Sequence, residues 1–262
     1  MSGEWFANYV KAPHHPAKGR IIRALLRLFD GRRLPSVYGP MMTVRARDAT
    51  NRFALLGTLA EDYRDVHAQI MAMPAGECFV DIGANLGLFT MVASRHLGPD
   101  GRVIAFEPNQ TTFADLAGNL AANKCTNVVT VCAGVSSSTA RVAFDPGPAG
   151  HSGIARISEA GSSAIMVLGS AQVADLIRNV ADGRRITIKI DVEGHENQVI
   201  EALMPLLGEP AVARMIVEVD PDNLAQHGTT RETLFARLAE KGLVPSVNEP
   251  TRSHYNEVFV RG

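Results

Sequence analysis

A segment about a third of the way along the chain, FVDIGANLG (79–87), places an acid, two glycines and an asparagine directly after an apolar, β-rich run. A strand that ends near Asp81 and turns at Gly83 and Gly87 lets the backbone approach a ligand closely. The helix that follows presents unpaired N–H groups and a partial positive charge at its start. This pattern predicts a binding turn for a ligand with a carboxylate or phosphate.

A second acid, Glu107, ends the next apolar run. At the tip of the adjacent strand, its carboxylate can accept hydrogen bonds from both ribose hydroxyls of an adenosine ligand. The dinucleotide fingerprint GxGxxG has a second glycine, against which the pyrophosphate lies. Here Asn85 occupies that position and the pattern is GxNxG. The residues therefore favour S-adenosylmethionine, whose zwitterionic methionine end Asp81 could hold, over a nicotinamide dinucleotide.

A third group of ionisable residues ends two later apolar runs: Asp191, Glu193, His195 and Glu196, then Glu218 and Asp220. Such a concentration at strand ends indicates a candidate catalytic site. We take Asp191, Glu193 and His195 as the catalytic candidates. A hydroxyl acceptor must lose its proton, and either His195 or Asp191 could remove it.

Two further expectations concern the same strand ends. Lys189 shares a strand face with Asp191, because side chains alternate with a period of two, and we expect it to pair with an acid such as Glu218. Asp191 with Glu218 or Asp220 could also hold Mg²⁺, since hard cations bind carboxylate oxygens, although the spacing does not require a metal.

Short apolar runs alternate with helical patterns along most of the chain, which predicts an α/β fold with a doubly wound, mostly parallel sheet. The predicted strands are 78–83, 102–107, 127–135, 186–191 and 214–219, and the last segment, NEVFVRG, is expected to pair antiparallel at or near the edge. Predicted helices follow, at 113–123, 197–207 and 231–241. Between the third and fourth strands we expect a short strand at 141–145 and a short helix at 172–180. The stretch 147–163 is either a loop over the site or a surface loop without a role.

The first 60 residues differ from the rest, which suggests a helical extension (1–60) before a main domain (61–262). A basic amphipathic helix is predicted between Lys11 and Arg33, and a second helix over 52–73. The first helix either packs on the main domain or a second subunit, which makes a homodimer plausible, or contacts an anionic surface.

Composition narrows the class of protein. The chain has 262 residues, 46% of them hydrophobic and 20% charged, and a net charge of −1, as in a globular protein that does not bind nucleic acid. We expect no secretory signal or transmembrane segment, and hence a cytoplasmic enzyme. Cys78 and Cys132 are expected in the core. Other histidines, such as His151 and His254, are expected at the surface or in loops.

The sequence resembles the FkbM family of S-adenosylmethionine-dependent methyltransferases. The similar segments are VDIGANLGLFT, IAFEPN, LAGNLAANKCTNV, CAGVSS, IKIDVEGHE and IVEVDPD, in the family's order over roughly 61–261. The resemblance implies a class I methyltransferase (Rossmann-like) fold and methyl transfer, usually to oxygen, on natural products or sugars. It places the cofactor at Asp81, Gly83, Asn85, Gly87 and Glu107. Family patterns usually have a small residue after DVEG, whereas this chain has His195.

Several neighbours of these positions complete the candidate cofactor site: Glu61, Ala84, Pro108, Asn109, Gly134 and Asp191. Glu61 and Tyr63 precede the first strand by about one helix and could fold over the cofactor. Three functions remain open: an O-methyltransferase for a small-molecule or glycan acceptor, a nicotinamide-dependent oxidoreductase, and a methyltransferase-like domain that binds partners without catalysis.

Overall fold

A computed structural model describes residues 18–56, 61–147, 151–246 and 254–262. The helices are α1 Lys18–Leu28, α2 Ala49–Leu56, α3 Glu61–Met71, α4 Leu88–Leu97, α5 Gln110–Ala122, α6 Ser170–Ala181, α7 Glu196–Leu207, α8 Pro221–Gln226 and α9 Arg231–Ala239. The strands are β1 Arg33–Pro35, β2 Met41–Thr43, β3 Cys78–Ile82, β4 Arg102–Phe106, β5 Val128–Val131, β6 Gly134–Val135, β7 Ala140–Asp145, β8 Arg156–Ile157, β9 Ser163–Leu168, β10 Ile186–Ile190, β11 Val212–Val219, β12 Leu243–Pro245 and β13 Tyr255–Arg261.

The main sheet has seven strands in the order β12-β13-β11-β10-β3-β4-β5. The run from β11 to β5 is parallel, and β13 is antiparallel to both of its neighbours. Every residue of β3 and β10 is buried, as expected for parallel strands covered by helices on both faces. The predicted doubly wound, class I methyltransferase architecture is therefore confirmed, including the antiparallel C-terminal strand next to the edge.

The strand order reverses between β3 and β10. From β3 the chain proceeds outward to β4 and β5, whereas from β10 it proceeds to β11 on the other side. In doubly wound sheets, ligands bind beyond the carboxyl ends of the strands at such a switch point. The main sheet thus places the ends of β3, β4, β10 and β11 around one crevice.

The predicted third strand, 127–135, is wrong in its extent. It divides into β5 and β6, and β6 belongs to a separate four-stranded sheet with the order β6-β9-β7-β8. Cys132, expected in the core, is exposed at this division, because the chain leaves the main sheet there. The expected strand at 141–145 and helix at 172–180 are present as β7 and α6.

The N-terminal residues pack on the main sheet. The apolar face of α1 buries Ile22, Leu26 and Phe29 in the same hydrophobic core as Phe79 of β3. The backbone N–H groups of Met41 and Thr43 donate to the side chains of Asn123 and Asn119. The part of the predicted first helix before Lys18 lies outside the described residues. The predicted helix 52–73 corresponds to α2 and α3, which lie on either side of 57–60.

None of the helices in the four described ranges is both long and apolar enough to span a lipid bilayer.

Candidate functional site

A cleft of about 820 Å³ opens at the switch point of the main sheet. The predicted positions Gly83, Ala84, Asn85, Glu107, Pro108, Gly134, Asp191, Glu193 and His195 all line it. One cavity thus joins the candidate cofactor turn to the candidate catalytic group, as the sequence predicted.

The glycine turn owes its shape to close packing against β10. Gly83 has φ +82°, and a Cβ atom on it would lie 1.9 Å from the carbonyl oxygen of Asp191. The N–H groups of Gly83 and Ala84 both donate to the carbonyl of Phe106, which ties the turn to the end of β4. Asn85 also has a left-handed backbone, with φ 50°. The turn therefore needs a residue without a side chain at position 83.

Glu107 lies at the wall of the cleft with 7% of its surface exposed. One carboxylate oxygen accepts the N–H of Asn85 at 3.0 Å, and the other accepts the N–H of Asn109 at 2.8 Å. Burial raises the pKa of Glu107 to about 7, although the two N–H groups oppose the shift. Each oxygen keeps a lone pair for a further donor. The carboxylate is thus fixed in place and able to accept two hydroxyl groups.

Asp81 lies beneath the cleft and does not line it. It is 1% exposed, and its carboxylate accepts the Thr90 hydroxyl at 2.6 Å. The other oxygen lies 3.4 Å from Nζ of Lys189, its register partner on β10. Asp81 therefore holds Lys189, and the expected direct contact of its carboxylate with the methionine end of the ligand finds no support in this placement.

Lys189 is a buried cation between two carboxylates. Its Nζ is 3.1 Å from Asp191 and lies over the ring of Phe89. Burial disfavours the ammonium, but Asp191 and Asp81 outweigh that effect and raise the pKa of Lys189. The expected structural ion pair of Lys189 is present, but its partners are Asp81 and Asp191 and not Glu218, because Lys189 lies opposite Asp81 in the parallel register and two residues before Asp191. The cation orients Asp191 at the edge of the cleft.

Three carboxylates gather at the ends of β10 and β11. Asp191, Glu193 and Glu218 each offer an oxygen within 4.8 Å of the others, a group that could bind a hard cation. Each of the three carboxylates also contacts another side chain of the protein. Glu193, which has φ 54°, accepts from Asn223 at 3.2 Å, and Glu218 contacts His254 at 2.8 Å.

Two other acids have structural positions. Asp220 caps α8 by accepting the N–H groups of Asp222 and Asn223, and it is not part of the carboxylate group. Glu196 is 2% exposed and accepts the N–H groups of Val192 and Gly194, which fixes the turn after β10.

His195 is the N-cap residue of α7 and lines the cleft, and both of its ring nitrogens are buried without a hydrogen-bond partner within the described ranges. Burial, assisted by the neighbouring ring of His227, lowers the pKa of His195 to about 4. The imidazole is therefore neutral at physiological pH, with a free nitrogen lone pair. Of the candidate catalytic residues, His195 has the proton acceptor least engaged by the protein.

The insertion before β9 covers the cleft. Residues 151–157 line it, and a 3₁₀ turn at Ser152–Ile154 is tied to the N-terminal part of the chain. The N–H of Ser152 donates to Asp48, and the N–H of Gly153 donates to Thr50 at 2.8 Å. The Ser152 hydroxyl also donates to Asn85 in the glycine turn. Of the two alternatives for 147–163, the structure supports a loop over the site for 151–157, whereas 148–150 lie outside the described residues.

The remaining predicted positions lie at the edge of the site. Asn109 caps α5 through its side chain and holds Glu107 through its N–H. Gly87 precedes α4 outside the cleft wall, where a Cβ atom would lie 2.4 Å from Leu116. Glu61 begins α3, and its side chain lies outside the described part of the chain, whereas the half-buried Tyr63 lines the cleft.

Several cleft residues were not predicted from the sequence, among them four polar or aromatic ones that matter to the site: Thr50, Phe53, Arg156 and His254. They come from α2, the insertion and the start of β13, far from the motifs. His254 was expected in a surface or loop position, and it is half exposed yet contacts Glu218. None of the four stands next to a glycine turn or strand-end acid, so no local pattern marked them.

Comparison with solved structures finds folds of the same kind at low identity. A precorrin-6y C5,15-methyltransferase from Geobacter metallireducens is 18% identical, with a TM-score of 0.46, over 76% of this chain and 88% of that one. A SAM-dependent methyltransferase from Aquifex aeolicus is 10% identical, with a TM-score of 0.46, over 81% and 93%. These values are too low to bear on function.

The sequence comparisons are more specific. The hexuronic acid methyltransferase AglP of Haloferax volcanii is 31% identical over 150 residues, which are 56% of this chain and 59% of that relative. The match thus spans less than two thirds of the relative's length. The family model of the methyltransferase FkbM domain matches residues 81–242, from Asp81 in the glycine turn to beyond α9. Because this match covers more than half of the sequence, the chain belongs to the methyltransferase FkbM domain family.

Proposed function

We propose that this chain transfers a methyl group from S-adenosylmethionine to a hydroxyl oxygen of a sugar-like acceptor. The observation that carries the proposal is Glu107, a carboxylate fixed by two backbone N–H groups at the wall of a switch-point cleft. A rigid acceptor at this position suits the two ribose hydroxyls of an adenosine ligand. Family membership supports the same donor.

The glycine turn fits the rest of that donor. Gly83 brings the backbone against the cleft, and Asn85 occupies the place where a pyrophosphate would need a glycine. S-adenosylmethionine supplies a methyl group on a sulfonium, which an oxygen nucleophile can displace. The alternative as a nicotinamide-dependent oxidoreductase has no observation in its favour.

The catalytic residues would act on the acceptor proton. In the proposed reaction, the acceptor O–H bond breaks as the new C–O bond forms, and His195 takes the proton on its free ring nitrogen. Asp191, which Lys189 contacts at 3.1 Å, would orient the acceptor hydroxyl. The methyl–sulfur bond breaks at the same time, and the products besides the protonated His195 are the methylated acceptor and S-adenosylhomocysteine.

A sugar acceptor is proposed by analogy with the Haloferax relative, which is a hexuronic acid methyltransferase. The cleft also contains Phe53, which is 38% exposed, and a row of hydrogen-bonding side chains at the ends of β10 and β11. An apolar ring beside polar groups suits a sugar, which has both C–H faces and hydroxyl edges.

Titration calorimetry tests the donor. We expect S-adenosylhomocysteine to bind, and NAD to bind at least about a hundredfold more weakly. Tighter binding of NAD would support the oxidoreductase, and binding of neither ligand would favour a non-catalytic domain.

Replacement of one histidine tests the chemistry. With tritiated S-adenosylmethionine and a panel of methyl glycosides, His195→Gln should lower turnover by roughly 10²–10⁴-fold and leave the affinity for S-adenosylhomocysteine unchanged. His227→Gln is the matched control, because that ring is next to His195 but does not line the cleft. Full turnover by His195→Gln would remove His195 as the base.

A further inference from the structure

The described residues that line the cleft include two permanently charged cations, Lys189 and Arg156. Lys189 is engaged by Asp81 and Asp191. The guanidinium of Arg156, in contrast, forms no hydrogen bond or ion pair with any residue in the described ranges. Arg156 is half-buried, so its five N–H donors are partly removed from water without an anion to compensate.

Contacts with β7 and with the N-terminal part of the chain fix the backbone around Arg156. Arg156 begins β8 and pairs with Asp145 of β7, and the turn just before it is tied to Asp48 and Thr50. Burial is the main cause that lowers the pKa of His227, and the charge of Arg156 is the second cause. The guanidinium therefore lies on the side of the cleft near the loop that follows α8, next to the ring that contacts His195.

The ends of β10 and β11, which line the same cleft, are acidic, with Asp191, Glu193 and Glu218 close together. An anionic group on a ligand is repelled there and attracted at Arg156. The planar guanidinium fork matches a carboxylate through two parallel hydrogen bonds. We propose that the acceptor is a sugar with a carboxylate, and that Arg156 binds this carboxylate and so selects the acceptor.

This inference rests on the proposed function, because it names the acceptor class of the same site. It is tested by calorimetry on the protein saturated with S-adenosylhomocysteine. The probes are methyl β-D-glucuronide and methyl β-D-glucoside. The glucuronide has a carboxylate where the glucoside has a hydroxymethyl group. We expect the glucuronide to bind roughly tenfold more tightly or better, as for a charge-assisted hydrogen-bond pair. Equal binding of the two glycosides, or binding of neither, would overturn the inference.

Variants assign the preference to one residue. Arg156→Gln should bind both glycosides equally, whereas Arg156→Lys should keep part of the preference, because a lysine retains the charge without the fork. Arg141→Gln is the matched control, since Arg141 lies exposed on β7 of the same small sheet and does not line the cleft. A preference that survives in Arg156→Gln would contradict the assignment.

A third probe separates the two anions that a guanidinium binds well. If glucose 6-phosphate binds through Arg156 more tightly than the glucuronide, the carboxylate assignment is wrong and the acceptor is a phosphorylated sugar. The affinity for S-adenosylhomocysteine is recorded in every titration. If the unmodified protein does not bind S-adenosylhomocysteine, the proposed function is refuted. If it binds S-adenosylhomocysteine normally but shows no preference between the two glycosides, only the role of Arg156 is refuted.

Discussion

At the scale of single residues, the proposed methyl donor depends most on the side chain of Glu107. Its oxygens are fixed by the N–H groups of Asn85 and Asn109, so it is already oriented before a ligand binds. We predict that Glu107→Gln weakens the binding of S-adenosylhomocysteine by roughly 10- to 100-fold, because hydrogen bonds to a charged acceptor are lost. Titration calorimetry measures the change. Glu77→Gln is the control, since Glu77 pairs with Arg185 at the other end of β3.

The pH dependence of the same titration gives a second readout of this prediction. Burial raises the pKa of Glu107 to about 7, so the carboxyl is partly protonated at neutral pH in the free protein. The ribose hydroxyls donate to the ionised form, and binding should therefore weaken as the pH falls from 8 to 6 and level off above 8. The dependence should disappear in Glu107→Gln. An unchanged pH profile in that variant would assign the titration to another group.

The carboxylates at the ends of β10 and β11 lead to a prediction about metals. Lys189 pairs with Asp191, His254 with Glu218 and Asn223 with Glu193, so each carboxylate already has a partner from the protein. We predict that exhaustive dialysis against EDTA leaves methyl transfer and S-adenosylhomocysteine binding unchanged. A loss of more than about tenfold that added Mg²⁺ restores would instead assign these three residues to a metal.

At the scale of elements, the packing of the glycine turn against β10 determines the shape of the cleft. A Cβ atom on Gly83 would meet the backbone of Asp191, which cannot move without displacing the strand. We predict that Gly83→Ala lowers the free energy of unfolding by about 3 kcal/mol or more and abolishes ligand binding. Denaturant unfolding and calorimetry measure the two effects.

Gly76 offers a matched control for that substitution. It has the same φ of +82°, but a Cβ atom there has nothing within 4 Å. Gly76→Ala should therefore cost only the backbone strain, about 1 kcal/mol, and should leave binding intact. Equal costs for the two variants would show that the contact with Asp191 is unimportant.

At the scale of the whole molecule, the N-terminal residues belong to the same core as the main sheet. Leu26 of α1 is fully buried in the core that contains Phe79, whereas Leu28 of the same helix is 69% exposed. We predict that the protein unfolds in one calorimetric transition, and that Leu26→Ala lowers its stability by 2–5 kcal/mol, as a rough range for such core truncations. Leu28→Ala should change the stability by less than about 0.5 kcal/mol.

The outcome also bears on the proposed division of the chain. The boundary between the extension (1–60) and the main domain (61–262) falls next to 57–60, outside the described residues. Two separate transitions, with Leu26→Ala shifting only the first, would show that the extension is an independent domain. A single shifted transition would show that the extension is an integral part of one folding unit.

The sequence by itself determined the features that depend on neighbouring residues. The strand-turn-helix from Cys78 to Leu97 and the strand ending before Glu107 could be predicted, because apolar periodicity and glycine positions act over a few residues. The family signature from Ile188 to Gly194 placed the candidate catalytic group in the same way. The divided strand at 127–135 was missed, since both halves are apolar and only sheet pairing separates them.

The tertiary structure alone decided which distant side chains meet. It paired Lys189 with Asp81 through strand register and placed Asp81 beneath the cleft. It also brought Arg156 from the insertion into the cleft, and His254, which precedes β13, to Glu218 near the end of β11. Such contacts depend on how separate elements pack against one another. The local pattern of residues predicts the conformation of each element but not the elements that it contacts. For this reason the sequence indicated the methyl donor, whereas the packing revealed the residue that we propose selects the acceptor.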